Sequence, residues 1–159
     1  MRVFVIFGKR LNPWMILSPI ICWVNKTPFS HTAILVSDES GDWVYESTMP
    51  ESHKIPFKKW LDHYDLKASY EITKRIVDID KTKENLNQWL GIKYSYLQLL
   101  MAGLSLLFVK IFKPKKINGS RRLICAEYVG MFLSEHCGIV FTKPLDYVTL
   151  SDISDAVSK

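Results

Sequence analysis

A cysteine at the start of a helix carries a thiol that the fold can turn into a thiolate. Unpaired backbone N–H groups and the positive end of the helix dipole both favour the charged form there. Cys125 has that position in LICAEYVGMFLSEHCG, where Cys125, Tyr128, Val129, Phe132 and His136 recur on one helical stripe and Gly138 supplies a stop. Arg121 and Arg122, one turn earlier, would add positive potential in the same direction. The position suits a small packing residue equally well, so the thiol needs a base before it counts as a nucleophile.

The base is sought among four histidines. His31 heads a predicted strand, HTAILVS, directly after the proline-containing TPFS, where a side chain can stand at the rim of a sheet. Ala33 and Leu35 share its face, a setting that would also suit a structural histidine. After the turn signal DESGD, the segment WVYES reads as the return strand of a hairpin. A turn around Glu39–Gly41 lays residues near 46 to 49 opposite His31, and Glu46 is a carboxylate in an otherwise apolar strand. A carboxylate beside an imidazole fixes its tautomer and stabilises the imidazolium. A one-residue bulge would instead turn Glu46 to the opposite face, as an exposed strand glutamate. His53, His63 and His136 lack HxxxH or HExxH spacing and read as solvent or core histidines. Cys22 and Cys137 read as packing residues, and Glu127 points away from Cys125 on its helix.

The elements that must position these residues follow from pattern. Arg2–Phe7 reads as a first strand ended by Gly8, and Asn12–Pro13 opens a helix through about Val24 that Pro19 shortens or kinks. Pro56–Tyr64 has Phe57, Trp60 and Leu61 at helical spacing, and Tyr70–Ile79 reads as a strand. Asp80 or Thr82 would cap a helix bearing Leu86, Trp89 and Leu90, with Gly91 as its stop. From Tyr94 to Val109 about 16 residues carry no charge before Lys110 and the cluster KPKK. A bilayer span needs roughly 20 apolar residues, so a core helix or a helix on a membrane surface is expected rather than a span. The tail Phe141–Lys159 reads as a short strand or loop, then a turn of helix in SDISDAV.

The set FSHTAIL, VYES, GIKYSYLQLL and ICAEYVGMFL, in that order, resembles the circularly permuted branch of the NlpC-type papain-like cysteine hydrolases. The resemblance covers roughly residues 31 to 133. It implies an α+β, papain-like fold: an antiparallel sheet packed against helices, with the nucleophile at a helix N-terminus. It further implies Cys125 as nucleophile, His31 as base, Glu46 as the third polar residue and Tyr94, in the GxxY before the cysteine helix, as a residue lining the substrate site. The implied activity is cleavage of an amide bond through an acyl-enzyme, on a peptide or cell-wall-like substrate. Lipid-acting relatives resembling the lecithin retinol acyltransferases make a membrane-surface esterase or acyltransferase the alternative. A catalytically silent binding module of the same fold is the third reading.

Composition bounds the rest. A chain of 159 residues with 48% hydrophobic content suits one domain over residues 1–159 with one core. The formal charge of +5 favours anionic surroundings such as phospholipid headgroups or acidic polymer. The basic residues form short knots at Lys113–Lys116 and Arg121–Arg122 with no nucleic-acid-binding signature, so nucleic acid is not expected as a partner. Three cysteines without CxxC spacing argue against a zinc knuckle or disulfide framework. No metal or cofactor is expected. The apolar N-terminus, broken by Pro13 and Pro19, lacks a cleavage-site pattern, and a cytoplasmic location, peripheral to a membrane at most, is expected.

Overall fold

The apolar run that begins at His31 lies at the centre of the fold because its side chains are buried on both faces of a sheet. A computed structural model describes residues 1–11, 22, 26–95 and 122–159. Five strands, β1 (Arg2–Arg10), β2 (His31–Asp38), β3 (Gly41–Ser47), β4 (Ser52–Pro56) and β5 (Tyr64–Glu71), form one antiparallel sheet in the order β4-β3-β2-β1-β5. With β2 in the middle, its alternate side chains enter two clusters. Ile34 and Val36 join Val3, Val5, Phe7 and Tyr45 on one face, while Ala33 and Leu35 join Ile6 and Val44 on the other.

The larger cluster is closed by helices. The helix α1 (Phe57–Leu61) lies on the opposite face, while α2 (Ile79–Gln88), α3 (Cys125–Cys137) and α4 (Leu150–Val157) contribute Leu86, Phe132, Leu133 and Ile153 to the larger cluster. Each such side chain, fully buried, is worth roughly 1.5–3 kcal/mol relative to exposure. The stripe expected on α3 is buried at Tyr128, Val129, Phe132 and His136, and Gly138 ends the helix at φ +64°, where a side chain would be strained. His136 is a core histidine, as expected, with Nδ1 3.0 Å from Thr82 Oγ1.

Several elements differ from expectation. β1 runs on through Gly8, which pairs with His31, to Arg10. Gly8 is required there by crowding rather than by a turn: an added Cβ would lie 2.6 Å from Trp60 Cη2. Residues 52–56 form a strand that the sequence did not suggest, so the expected helix shrinks to α1. The strand expected at Tyr70–Ile79 lies earlier, as β5, and is followed by a 3-10 turn at Thr73–Arg75. This edge strand is mostly exposed, so it lacks the apolar run that marks an inner strand. Asp78, not Asp80 or Thr82, caps α2 by accepting from Lys81 N at 3.0 Å. Thr149 caps α4 in a reciprocal pair with Asp152.

No helix among the described residues is long and apolar enough to cross a membrane. The helix expected at Asn12–Val24 and most of the uncharged run Tyr94–Val109 lie outside the described residues, as do the Lys113–Lys116 knot and the Arg121 and Arg122 side chains.

Candidate active site

The hairpin register decides whether Glu46 can meet His31. β2 and β3 pair from Asp38↔Gly41 to Ile34↔Tyr45 without a bulge, and Gly41 takes φ +117° at the turn. Leu35 faces Val44 in that register, so Glu46, two residues on from Val44, shares the face of Ala33 and His31. Glu46 Oε2 lies 2.5 Å from His31 Nε2, and both side chains are buried. The structure thus brings together two of the residues singled out from the sequence.

The third joins from the helix. α3 packs against β2, and its first residue, Cys125, is half-buried with its sulfur hydrogen-bonded to His31 and met by the backbone N–H groups of Thr32 and Ala126. Since Nε2 of His31 is taken by Glu46, Nδ1 is the nitrogen left to face the thiol. Burial works against a charged sulfur, but His31 and the two N–H groups outweigh it and lower the Cys125 pKa. Burial likewise opposes an imidazolium at His31. Tyr64, Cys125 and Glu46 together reverse this and hold the His31 pKa well above its ordinary value. The opposed directions both favour the thiolate–imidazolium form over the neutral pair. Glu46 is desolvated too, yet His31 and His53 hold its pKa down at about 2.

An aromatic stack fixes the imidazole from the side. Tyr64 stacks on His31 with ring centroids 4.7 Å apart, and Trp60 stacks on Tyr64, also at 4.7 Å. Trp60 also donates from Nε1 to Glu46 Oε2 at 3.1 Å, so α1 holds both partners of the base. Sequence reasoning took Trp60 as an apolar anchor only. It also set His53 aside as an ordinary histidine, whereas His53 pairs directly with Glu46 across β3 and β4 and places Nε2 3.1 Å from Glu46 Oε1. No alternation in SHKIP marked it, because every residue from His53 to Pro56 is part-buried.

Tyr94 is placed by its backbone. It lies in β6 (Lys93–Tyr94), which runs parallel to β7 (Arg122–Leu123), with Tyr94 beside Leu123 two residues before Cys125. Its N–H donates to Pro50 O at 2.9 Å. The carbonyl of Leu123 in turn accepts from the Ser47 hydroxyl at 2.9 Å, which ties the approach to the nucleophile to the residue after Glu46. The three cysteines Cys22, Cys125 and Cys137 form no disulfide, and burial raises the Cys137 thiol to about 11, the reverse of Cys125.

No family model matches the chain, and no curated protein matches it significantly. Among solved structures, the chain is similar to the crystal structure of metalloprotein yiiX from Escherichia coli O157:H7, DUF1105, with a TM-score of 0.65 at 16% identity, covering 98% of this chain and 92% of that one. At that identity the likeness concerns the fold. The described residues do not fit a metal centre of their own: no three His, Cys, Asp or Glu side chains among them are grouped to hold an ion. The Nε2 atoms of His31 and His53 are already spent on the two oxygens of Glu46. What this chain shares with that neighbour is the overall fold, which in this chain is α+β, with a five-stranded antiparallel sheet and several helices.

Proposed function

We propose that the protein is a cysteine hydrolase of the papain-like type that cleaves an amide bond through Cys125, His31 and Glu46. The observation that carries this reading is His31 held between a thiol of lowered pKa and a buried, ionised carboxylate. His31 takes the proton of Cys125, and the thiolate attacks the substrate carbonyl to form a C–S bond. The negative oxygen that develops would face the start of α3, where the Cys125 N–H has no partner within the helix. One well-placed donor of this kind is worth about 3 kcal/mol in the transition state. The imidazolium then protonates the leaving amine as the C–N bond breaks. Water, deprotonated by His31, attacks the thioester and releases the acid and the free thiol. Glu46 keeps the imidazole oriented through both halves.

The test is labelling with an iodoacetamide-type electrophile near pH 6, followed by peptide mass mapping. Cys125 should react well ahead of Cys22 and Cys137, and the preference should vanish in His31→Ala protein that remains folded. Equal rates at the three cysteines would sink the proposal. With peptide and cell-wall-like substrates, Cys125→Ala should abolish turnover.

A second reading, a lipid esterase or acyltransferase with the same triad, is favoured by the uncharged run 94–109 followed by Lys113–Lys116. Flotation with anionic vesicles separates the two readings: absence of binding removes the lipid one.

A further inference from the structure

His53 sits between two groups that can only accept hydrogen bonds. Its Nδ1 lies 3.1 Å from the backbone carbonyl of Glu51, and its Nε2 lies 3.1 Å from Glu46 Oε1. A neutral imidazole has one donor and one acceptor nitrogen, so it would turn a lone pair towards a carbonyl or a carboxylate. Only the doubly protonated ring satisfies both. We propose that His53 is a positioning residue of the same site, held as an imidazolium, and that its charge shares Glu46 with His31.

The surroundings support a cation at this place. Glu46 is only 2% exposed and offers one oxygen to each histidine, with Trp60 as the additional donor to Oε2. From β2, His31 reaches the same carboxylate. From β6, Lys93 Nζ is paired with the Glu51 carboxylate at 2.7 Å. Lys54, the next residue on β4, places Nζ 4.4 Å from the Trp43 ring centroid and 5.3 Å from that of Tyr45, on the opposite face of the sheet. The His53 pKa is raised, first by Glu46, with burial and His31 acting against it. The ring is 35% exposed, so it exchanges its proton with solvent, unlike buried His31.

The row Cys125, His31, Glu46, His53 then alternates negative, positive, negative, positive. The consequence for the proposed reaction, on which this inference rests, is that His31 does not own the whole charge of Glu46. Its proton is held less tightly and is easier to return to a leaving amine. His53 acts through Glu46 and touches no reacting atom.

Long-range proton–nitrogen spectra of the imidazoles in the full chain test the charge directly. At about pH 7, where a free histidine is mostly neutral, both His53 nitrogens should carry protons, and Glu46→Gln should lower its titration midpoint. In a Cys125→Ala background, which removes coupling to the thiol, His53→Gln keeps a donor for Glu46 but deletes the charge. The His31 midpoint should then rise by about half a unit, a threefold change in proton affinity. A His53 protonated on one nitrogen at about pH 7, or a His31 midpoint that stays or falls in His53→Gln, overturns the proposal. A merely structural His53 would not move His31 upwards. Should His53→Ala fail to fold, the wild-type spectra and His53→Gln still decide. Because these spectra need no turnover, an unreactive Cys125 would defeat the hydrolase reading while leaving the charge on His53 separately measured.

Discussion

Glu46 is the residue on which the proposed chemistry turns, although it never meets a substrate. Its charge stabilises the His31 imidazolium, and the imidazolium stabilises the Cys125 thiolate, so its loss should be felt two residues away. In Glu46→Gln the shape persists and the charge goes. The alkylation midpoint of Cys125 should rise by about one unit or more, which slows alkylation about tenfold at a fixed pH below the midpoint. A pH series of alkylation rates measures it, and an unchanged midpoint would show that Glu46 does not act through His31. The meeting of His31 and Glu46 was legible in the sequence because a short apolar hairpin can be counted in pairs, from DESGD back to His31 and on to Glu46, and Cys125 stood out by its place at a helix start. His53 did not. The strand bearing it is five residues long, ends in Pro56 and mixes a lysine with the histidine, so neither alternation nor apolar run marked it.

At the scale of elements, the site is built by packing β1 and α1 against the hairpin. Gly8 pairs with His31 on β1 and lies against Trp60, the residue that bridges the aromatic stack and Glu46. In Gly8→Ala the new methyl would meet Trp60 at 2.6 Å, and the indole would have to leave Glu46 Oε2. The expected cost is about 1–3 kcal/mol in a denaturant titration, with a loss of Cys125 reactivity that a distant substitution of equal cost would not cause. Thr149→Ala is such a comparison. It removes the cap of α4, away from Cys125, and should cost about 1 kcal/mol while leaving alkylation unchanged. Helix α3 was readable because its stripe, its Gly138 stop and its length all agree. β5 was not, because Leu66 and its exposed neighbours on an edge strand give no inward-facing pattern, and the apolar residues just after it, Ile72 and Ile76, belong to a turn.

For the whole molecule, the buried charges make stability depend on pH in a definable window. The Glu46 pKa is lowered from 4.5 to about 2, so its contribution is present above about pH 4.5 and is lost as pH falls towards 2. The His53 pKa is raised from 6.5, so its contribution is fully present below 6.5 and is lost as pH rises through the folded value. The His31 pKa is raised, so its contribution is fully present below 6.5 and is lost above it, while the Cys125 pKa is lowered from 9.0, so its contribution fades as pH falls below 9.0. The two offset each other between about pH 6.5 and 9, and below 6.5 the Cys125 loss stands alone. The melting temperature should therefore climb with pH to a maximum near about pH 6.5 and fall above it as His53 loses its proton, and Glu46→Gln should flatten the profile. Thermal unfolding followed by circular dichroism from about pH 3 to about pH 9 checks this; a profile in the variant as curved as the wild type would place the dependence elsewhere. The sequence's net charge of +5 could not foretell such a window, because it counts charges without saying which are buried.

The hydrogen bond from Ser47 to Leu123 gives the site a property that no single contact has. From Cys125 one can pass to His31, to Glu46, along one peptide to Ser47, across to the Leu123 carbonyl and back through Ile124 to Cys125. The links form a closed circuit. An open chain of contacts accumulates error from one end to the other, whereas a closed one shares any displacement among all its members. The separation of the sulfur from the carboxylate is thus set twice, once through the imidazole and once around it, and thermal motion of the imidazole cannot by itself open the gap.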